Sequence, residues 1–448
     1  MAKCQQCGES FEGLEPGSLC PDCDPNSQRI LDDSLGESAE PRKPARPKCP
    51  ITNALVATNI LVYAAAWAVQ NYWPNLGPPD IVWGATWGPL TLGGQWWRLC
   101  SATFVHLNGP HLLDNMLALW IFGRRLEPIL GRWVFLAFYL ICGIAGEIVS
   151  LTFHVEQFAC GASGAVFGII GGLLAAYCCG RFRLSGKSAW GLGFLIIYSA
   201  YNIYDGYRTP YVDNAAHIAG LIMGLLLGVA LIVSSSGNVR LRRSIWASIT
   251  AILAVAIIAV RHYDAYVIPL APAIRALEKN QLDDALNGIN AALRQKPNDS
   301  LANALAADIY LRKGDLPDAQ VAVDRSLASD PSNRGAKLVQ AKLYLQRGRF
   351  SQAMETAEES EDYSREARLI RCTAEEGQGS HADAGECYLA NDQPDQAIRA
   401  FQQALDSDPG DYKAQFGLAK AYQAKGMTKE AEAAALKAAG MKADKKKK

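Results

Sequence analysis

Net charge is the first thing this chain lacks: 44 acidic side chains balance 44 basic ones over 448 residues. Bulk electrostatics therefore give no reason to expect a nucleic-acid partner. Histidine is scarce, at 6 residues, and no HExxH stretch occurs, which excludes the commonest helical zinc-hydrolase pattern. Long apolar runs are missing from the first 48 residues, where a cysteine framework stands in place of an apolar signal core, so no secretory signal is expected. Charged side chains are sparse within the apolar runs that follow, which argues against a channel or transporter.

Half of the residues are hydrophobic, yet mean hydropathy is zero, because the apolar residues concentrate in the first 265 positions. Such unevenness predicts one lipidic and one soluble part. At the start, Cys4, Cys7, Cys20 and Cys23 form two CxxC pairs separated by twelve residues. Four thiolates at this spacing suit a closed tetrahedral site, so residues 1–26 are read as a zinc-ribbon-like knuckle holding structural zinc. Iron held by the same ligands, and simple disulfides, are the alternatives. Residues 27–48 are polar and rich in proline and charge, which predicts a flexible linker.

Apolar runs fall at 52–70, 111–123, 133–153, 160–179, 190–204, 215–233 and 244–261. Against the ~20 residues that a crossing helix needs, they predict a seven-helix membrane domain over residues 49–265. Arg124, Arg125 and Arg132, then Arg181, Arg183 and Lys187, then Arg240, Arg242 and Arg243 lie in alternate loops. The positive-inside rule places those loops and the N-terminus in the cytosol, and everything after the seventh helix outside, in the periplasm or its equivalent.

CGASGAVFGIIGG, residues 160–172, carries Ser163 among glycines. Packing alone would explain it, because membrane helices associate through small residues. His217, in DNAAHIAGLIMGLLLG, changes that reading: an ionisable group inside a span is expensive and points to function. Ser163 and His217 both fall near the outer ends of glycine-lined helices, so the pair is expected to meet as nucleophile and base. His111 and Asn115 are four apart on one helical face, and both can donate hydrogen bonds to a developing oxyanion. A water-satisfied interfacial histidine and an interhelical amide clasp are the alternatives for these two. A metal held by His106, His111 and His217 lacks any accompanying carboxylate ligand.

HLNGPHLLDN, GASGAVFG and AHIAGLIMG, in this order, resemble the rhomboid family of intramembrane serine proteases. The resemblance covers about residues 51–235. It implies an all-α bundle of six core helices, here with a seventh, and a Ser163–His217 dyad without an aspartate or a catalytic cofactor. It also implies an oxyanion site from His111, Asn115 and the Ser163 backbone N–H, with Phe167 packing on the base. His106 resembles the first, structural histidine of the second-helix motif. GQWWRLCSATF resembles the membrane-dipping first loop, with Trp97 and Arg98 in structural roles. Substrates would be transmembrane segments of other proteins, unwound locally so that the serine can reach a carbonyl. Asp213, Asn214 and Asn115 would line a wet pocket. No motif position is missing, which weighs against the alternative of a non-cleaving scaffold that binds transmembrane helices.

Past residue 270, QLDDA, DLPDA and RFSQA recur so that Ala285, Ala319 and Ala353 stand 34 apart, with Pro297 and Pro331 in phase. Ala397 and Ala431 repeat the interval, with Pro409 in phase. This is the tetratricopeptide period, and it predicts an α-solenoid over 270–442 that binds a protein or peptide partner, followed by a basic tail, 443–448. The step from Ala353 to Ala397 is 44, so one repeat is irregular, and Cys372 and Cys387 fall inside it. If that part is external, either a disulfide or two buried thiols is expected.

Overall fold

The computed structural model describes residues 2–3, 10–11, 48–72, 84–182, 187–209, 212–234, 239–360 and 365–445. Cys4, Cys7, Cys20 and Cys23, and the linker read over 27–48 up to residue 47, lie outside the described residues. At the N-terminus a two-rung antiparallel ladder pairs Ala2 with Phe11 and Lys3 with Ser10. The remaining described elements are helical, and the chain divides into two compact units, 1–268 and 269–448.

In the first unit each apolar run forms a helix. These are α1 (Pro50–Tyr72), α2 (Gly109–Leu130), α3 (Arg132–His154), α4 (Ser163–Cys178), α5 (Lys187–Arg208), α6 (Asn214–Val233) and α7 (Val239–Tyr263). α1, α3, α6 and α7 are long and apolar enough to cross a membrane. α2 extends beyond its apolar run because RRLEPIL continues the helix at its C-terminal end, stopping at Gly131 with φ 81°. α4 is shorter than its run: Gly161, at φ +132°, holds the backbone where side-chain-bearing residues rarely sit, and helix begins only at Ser163. Sixteen residues rise about 24 Å against roughly 30 Å of hydrocarbon, so one end of α4 falls short of the membrane surface.

α4 is the axis of the bundle. Its side chains are buried almost throughout, and Ile169, Ile170 and Leu173 meet Phe122 and Leu126 of α2 and Phe135, Phe138 and Tyr139 of α3 in one core. Against α6 the contact is backbone to backbone. A Cβ added at Gly220 would lie 2.0 Å from the Gly164 carbonyl oxygen, and one at Gly224 would lie 2.0 Å from that of Gly168. Lipid supplies no hydrophobic drive for association, so this close glycine seam holds the pair by dispersion.

Near the C-terminal end of α2, Glu127 is 2 % exposed and accepts from Ile51 N at 3.1 Å, Thr52 N at 2.8 Å and Thr52 Oγ1 at 2.7 Å. A carboxylate here satisfies orphan donors of the α1 N-terminus and complements its dipole. Glu127→Ala would leave those donors in a dry site and is expected to lower stability by about 3 kcal/mol. Thermal unfolding in detergent, followed by the helical signal, checks this.

The loop between α1 and α2 is structured by short turns at Gly88–Leu92, Arg98–Ser101 and Ala102–Phe104. Arg98, 4 % exposed, braces it by donating to Ala85 O at 2.8 Å and Gln95 Oε1 at 2.7 Å, with its guanidinium 4.8 Å from the exposed Trp97 ring centre.

Among the described residues the second unit is a run of eleven helices: α8 (Leu270–Glu278), α9 (Leu282–Gln295), α10 (Ser300–Lys313), α11 (Leu316–Ser329), α12 (Arg334–Gln346), α13 (Phe350–Glu359), α14 (Arg365–Gly377), α15 (His381–Ala390), α16 (Pro394–Ser407), α17 (Tyr412–Ala424) and α18 (Thr428–Lys445). Ala285, Ala319, Ala353 and Ala397 are fully buried, as small residues at helix crossings must be. The 44-residue step contains one helix too many for simple pairing. α14 packs on α12, α13 and α15, and α15 packs also on α16 and α17. α18 runs to Lys445, three residues into the segment read as a solvated tail, because Ala443, Asp444 and Lys445 carry no helix breaker.

Cys372 of α14 and Cys387 of α15 are joined by a disulfide, with Cα atoms 5.4 Å apart. Closing a 15-residue interval removes chain entropy equivalent to about 3 kcal/mol. Reduction is expected to lower the unfolding midpoint of this unit by several degrees, and mass analysis after alkylation with and without reductant reads the bridge directly.

Candidate active site

The α4–α6 seam fixes the site. Gly164 and Gly220 are in backbone contact, so Ser163 and His217 stand at the same level of two adjoining helices. Phe167, one turn below Ser163 on α4, stacks on the His217 ring with centroids 4.4 Å apart and planes 7° from parallel. The imidazole therefore occupies the face of α4 that carries Ser163. His217 is buried, at 7 % exposure, and its Nδ1 has no hydrogen-bond partner among the described residues. No hydrogen bond joins it to the half-buried Ser163 hydroxyl in this state.

His111 reaches the site from α2. Asn108 caps that helix by accepting from His111 N at 2.9 Å, which sets where the first turn begins. A Cβ at Gly161 would lie 2.7 Å from His111 Cε1 and 2.8 Å from its Nε2, so the ring lies flush against the backbone leading to Ser163. Only glycine leaves that room. Asn115, 3 % exposed, lies one turn further on the same face and donates to His111 O at 3.0 Å, which leaves one amide hydrogen for another acceptor.

His106 sits behind His111, ring centroids 5.1 Å apart. Burial, and then the neighbouring His111, push its pKa down to about 3. It is therefore neutral at physiological pH and accepts from Ala162 N through Nε2 at 3.4 Å, steadying the residue before Ser163.

Four polar residues that the sequence reading passed over, or gave no such part, are also built into this end of the bundle. Thr86 Oγ1 donates to Glu147 of α3, and Ser150 Oγ, also on α3, donates to Asp213 Oδ2. Asp213 Oδ1 caps α6 by accepting from Ala216 N at 2.9 Å. Asn214, read as lining the pocket, instead donates to Ile203 O of α5 at 3.0 Å. A lone carboxylate in an apolar run, as in GIAGEIVS, and an aspartate directly before a helix are the signals that could have flagged Glu147 and Asp213.

Fold and site together define a multi-pass helical membrane bundle in which two helices meet along a glycine seam, one beginning at Ser163 and the other carrying His217 stacked on Phe167. Residues 93–234 match the family model described as Rhomboid domain, and tetratricopeptide repeat models match 270–334, 305–367 and 388–445. The chain is similar to Rhomboid protease GluP of Bacillus subtilis, 36% identical over 35% of this chain and 30% of that protein. It is likewise similar to RHOMBOID-like protein 6, mitochondrial, of Arabidopsis thaliana, 36% identical over 38% of this chain and 57% of that one. Rhomboid protease AarA of Providencia stuartii is 30% identical over 41% of this chain and 73% of that one. The chain belongs to the rhomboid family. Of the first two relatives it spans less than two thirds of their length.

Proposed function

We propose that the chain is an intramembrane serine endopeptidase that cleaves transmembrane segments of other membrane proteins. Ser163 is the nucleophile: its hydroxyl oxygen attacks the scissile carbonyl while His217 takes the proton. The negative oxygen of the tetrahedral intermediate is met by His111, Asn115 and the Ser163 backbone N–H, donors worth about 2.7–4 kcal/mol each where water is scarce. His217 then returns its proton to the leaving amine, and water releases the acyl group by the same route. The observation that carries this reading is the Phe167–His217 stack, which turns the base toward the Ser163 face.

The unbonded Ser163 hydroxyl favours one rival, a scaffold that binds transmembrane helices without cutting them. Catalytic hydrogen bonds often tighten only when substrate is bound. Covalent labelling of the full chain in detergent by a fluorophosphonate, compared with Ser163→Ala, separates the two.

The repeats are assigned to recruitment of a protein or peptide partner or of the substrate. The N-terminus is assigned to the cytosol and the repeat unit to the external or periplasmic side of the cell membrane. Basic loops and the Cys372–Cys387 bridge, which persists in oxidising compartments, support that orientation. Cys4, Cys7, Cys20 and Cys23 are assigned as ligands of a structural zinc, supported by a donor set of four thiols in two CxxC pairs.

A further inference from the structure

α3 carries two buried polar side chains one turn apart, Glu147 at 5 % and Ser150 at 1 % exposure. Each holds one half of the site. Glu147 accepts from Thr86 Oγ1, and Thr86 exchanges backbone hydrogen bonds with Ala159, both 2.9 Å, fastening the segment that runs through Gly161 to Ser163. Ser150 donates to Asp213 Oδ2, while Asp213 Oδ1 caps α6 and its backbone oxygen accepts from His217 N at 3.1 Å.

In a Ser-His-Asp triad a carboxylate orients the imidazole by accepting from its Nδ1–H. Nothing does so here, since His217 Nδ1 has no partner among the described residues. The Phe167 stack and the position of the α6 N-terminus set the imidazole. We propose that Ser150 and Asp213 are positioning residues for the general base: their contact ties the start of α6 to α3 and holds His217 opposite Ser163. Packed elements bring other titratable groups to this end of α6: Glu147 of α3, His111 of α2, and Asp205 and Arg208 at the end of α5. None of these caps α6. This inference rests on the protease reading.

The test is the rate of fluorophosphonate labelling of the full chain in detergent, followed from about pH 5 to 9. Ser150→Ala is expected to slow labelling about tenfold, through misplacement of α6. Ser150→Cys, nearly the same size, is expected to do likewise if the alanine variant unfolds. Asp213→Asn keeps an oxygen for the cap but loses the charge. Its profile of labelling rate against pH is expected to shift its midpoint by about half a unit. A wild-type rate with Ser150 replaced, or an unshifted midpoint in Asp213→Asn, overturns the proposal. Ser163→Ala distinguishes the two levels. Labelling that survives there removes the protease reading itself, whereas loss of labelling there beside unaltered Ser150 and Asp213 variants removes only the positioning role.

Discussion

Ser163→Ala is expected to abolish fluorophosphonate labelling and to slow cleavage of a transmembrane reporter by about ten-thousand-fold or more. The size of the effect follows from chemistry, because without the Ser163 hydroxyl the proposed covalent intermediate cannot form. Ser163 is half-buried at the first position of α4, so its hydroxyl adds little to packing. The variant should therefore unfold near the wild-type temperature, and the loss can be read as chemistry. His217→Ala is expected to match it in rate, since the two groups act as a unit. Cleavage that persists in Ser163→Ala, measured by gel separation of reporter fragments, would place the nucleophile elsewhere.

Gly220→Ala is expected to be among the most damaging single methyls in the bundle. Its Cβ would stand 2.0 Å from the Gly164 carbonyl oxygen, and a backbone atom cannot rotate aside as a side-chain terminus can. The helices must separate, at a cost of about 3 kcal/mol or more. Separation also withdraws His217 from Ser163, and misplacement by about 1 Å reduces rate about a hundredfold. Thermal unfolding and reporter cleavage should thus fall together. Gly193→Ala on α5 is the matched control: nothing lies within 4 Å of its added methyl, so it should leave both readings nearly unchanged.

Much of this was legible in the residues because the information was local. Ser163 and Phe167 share a helical face by spacing alone, and the Gly220–Gly224 interval announces a close helix partner before the partner is known. The apolar runs marked where the long helices of the first unit lie. Local reading failed where partners are distant in sequence. Ser150 meets Asp213 across 63 positions, and Thr86 meets Glu147 across 61, so neither pairing leaves a periodic trace. Glu127 is similar: among RRLEPIL it reads as one more charge of an inner loop, and only the fold brings the start of α1 to it. The additional helix of the repeat unit was visible merely as a broken interval, since length alone does not say whether ten residues coil or wind.

The shortness of α4 bears on the lipid the protein lives in. Its neighbours α3 and α6, at 23 and 20 residues, are long and apolar enough to cross a membrane, while the 16-residue axis is buried almost throughout. Tail length therefore stretches or tilts the rim and leaves the depth of the serine to the protein. A guest helix entering from a thicker leaflet would have further to be drawn out before its carbonyl came level with that hydroxyl, so host lipids would grade which guests are cut without altering how the cut is made.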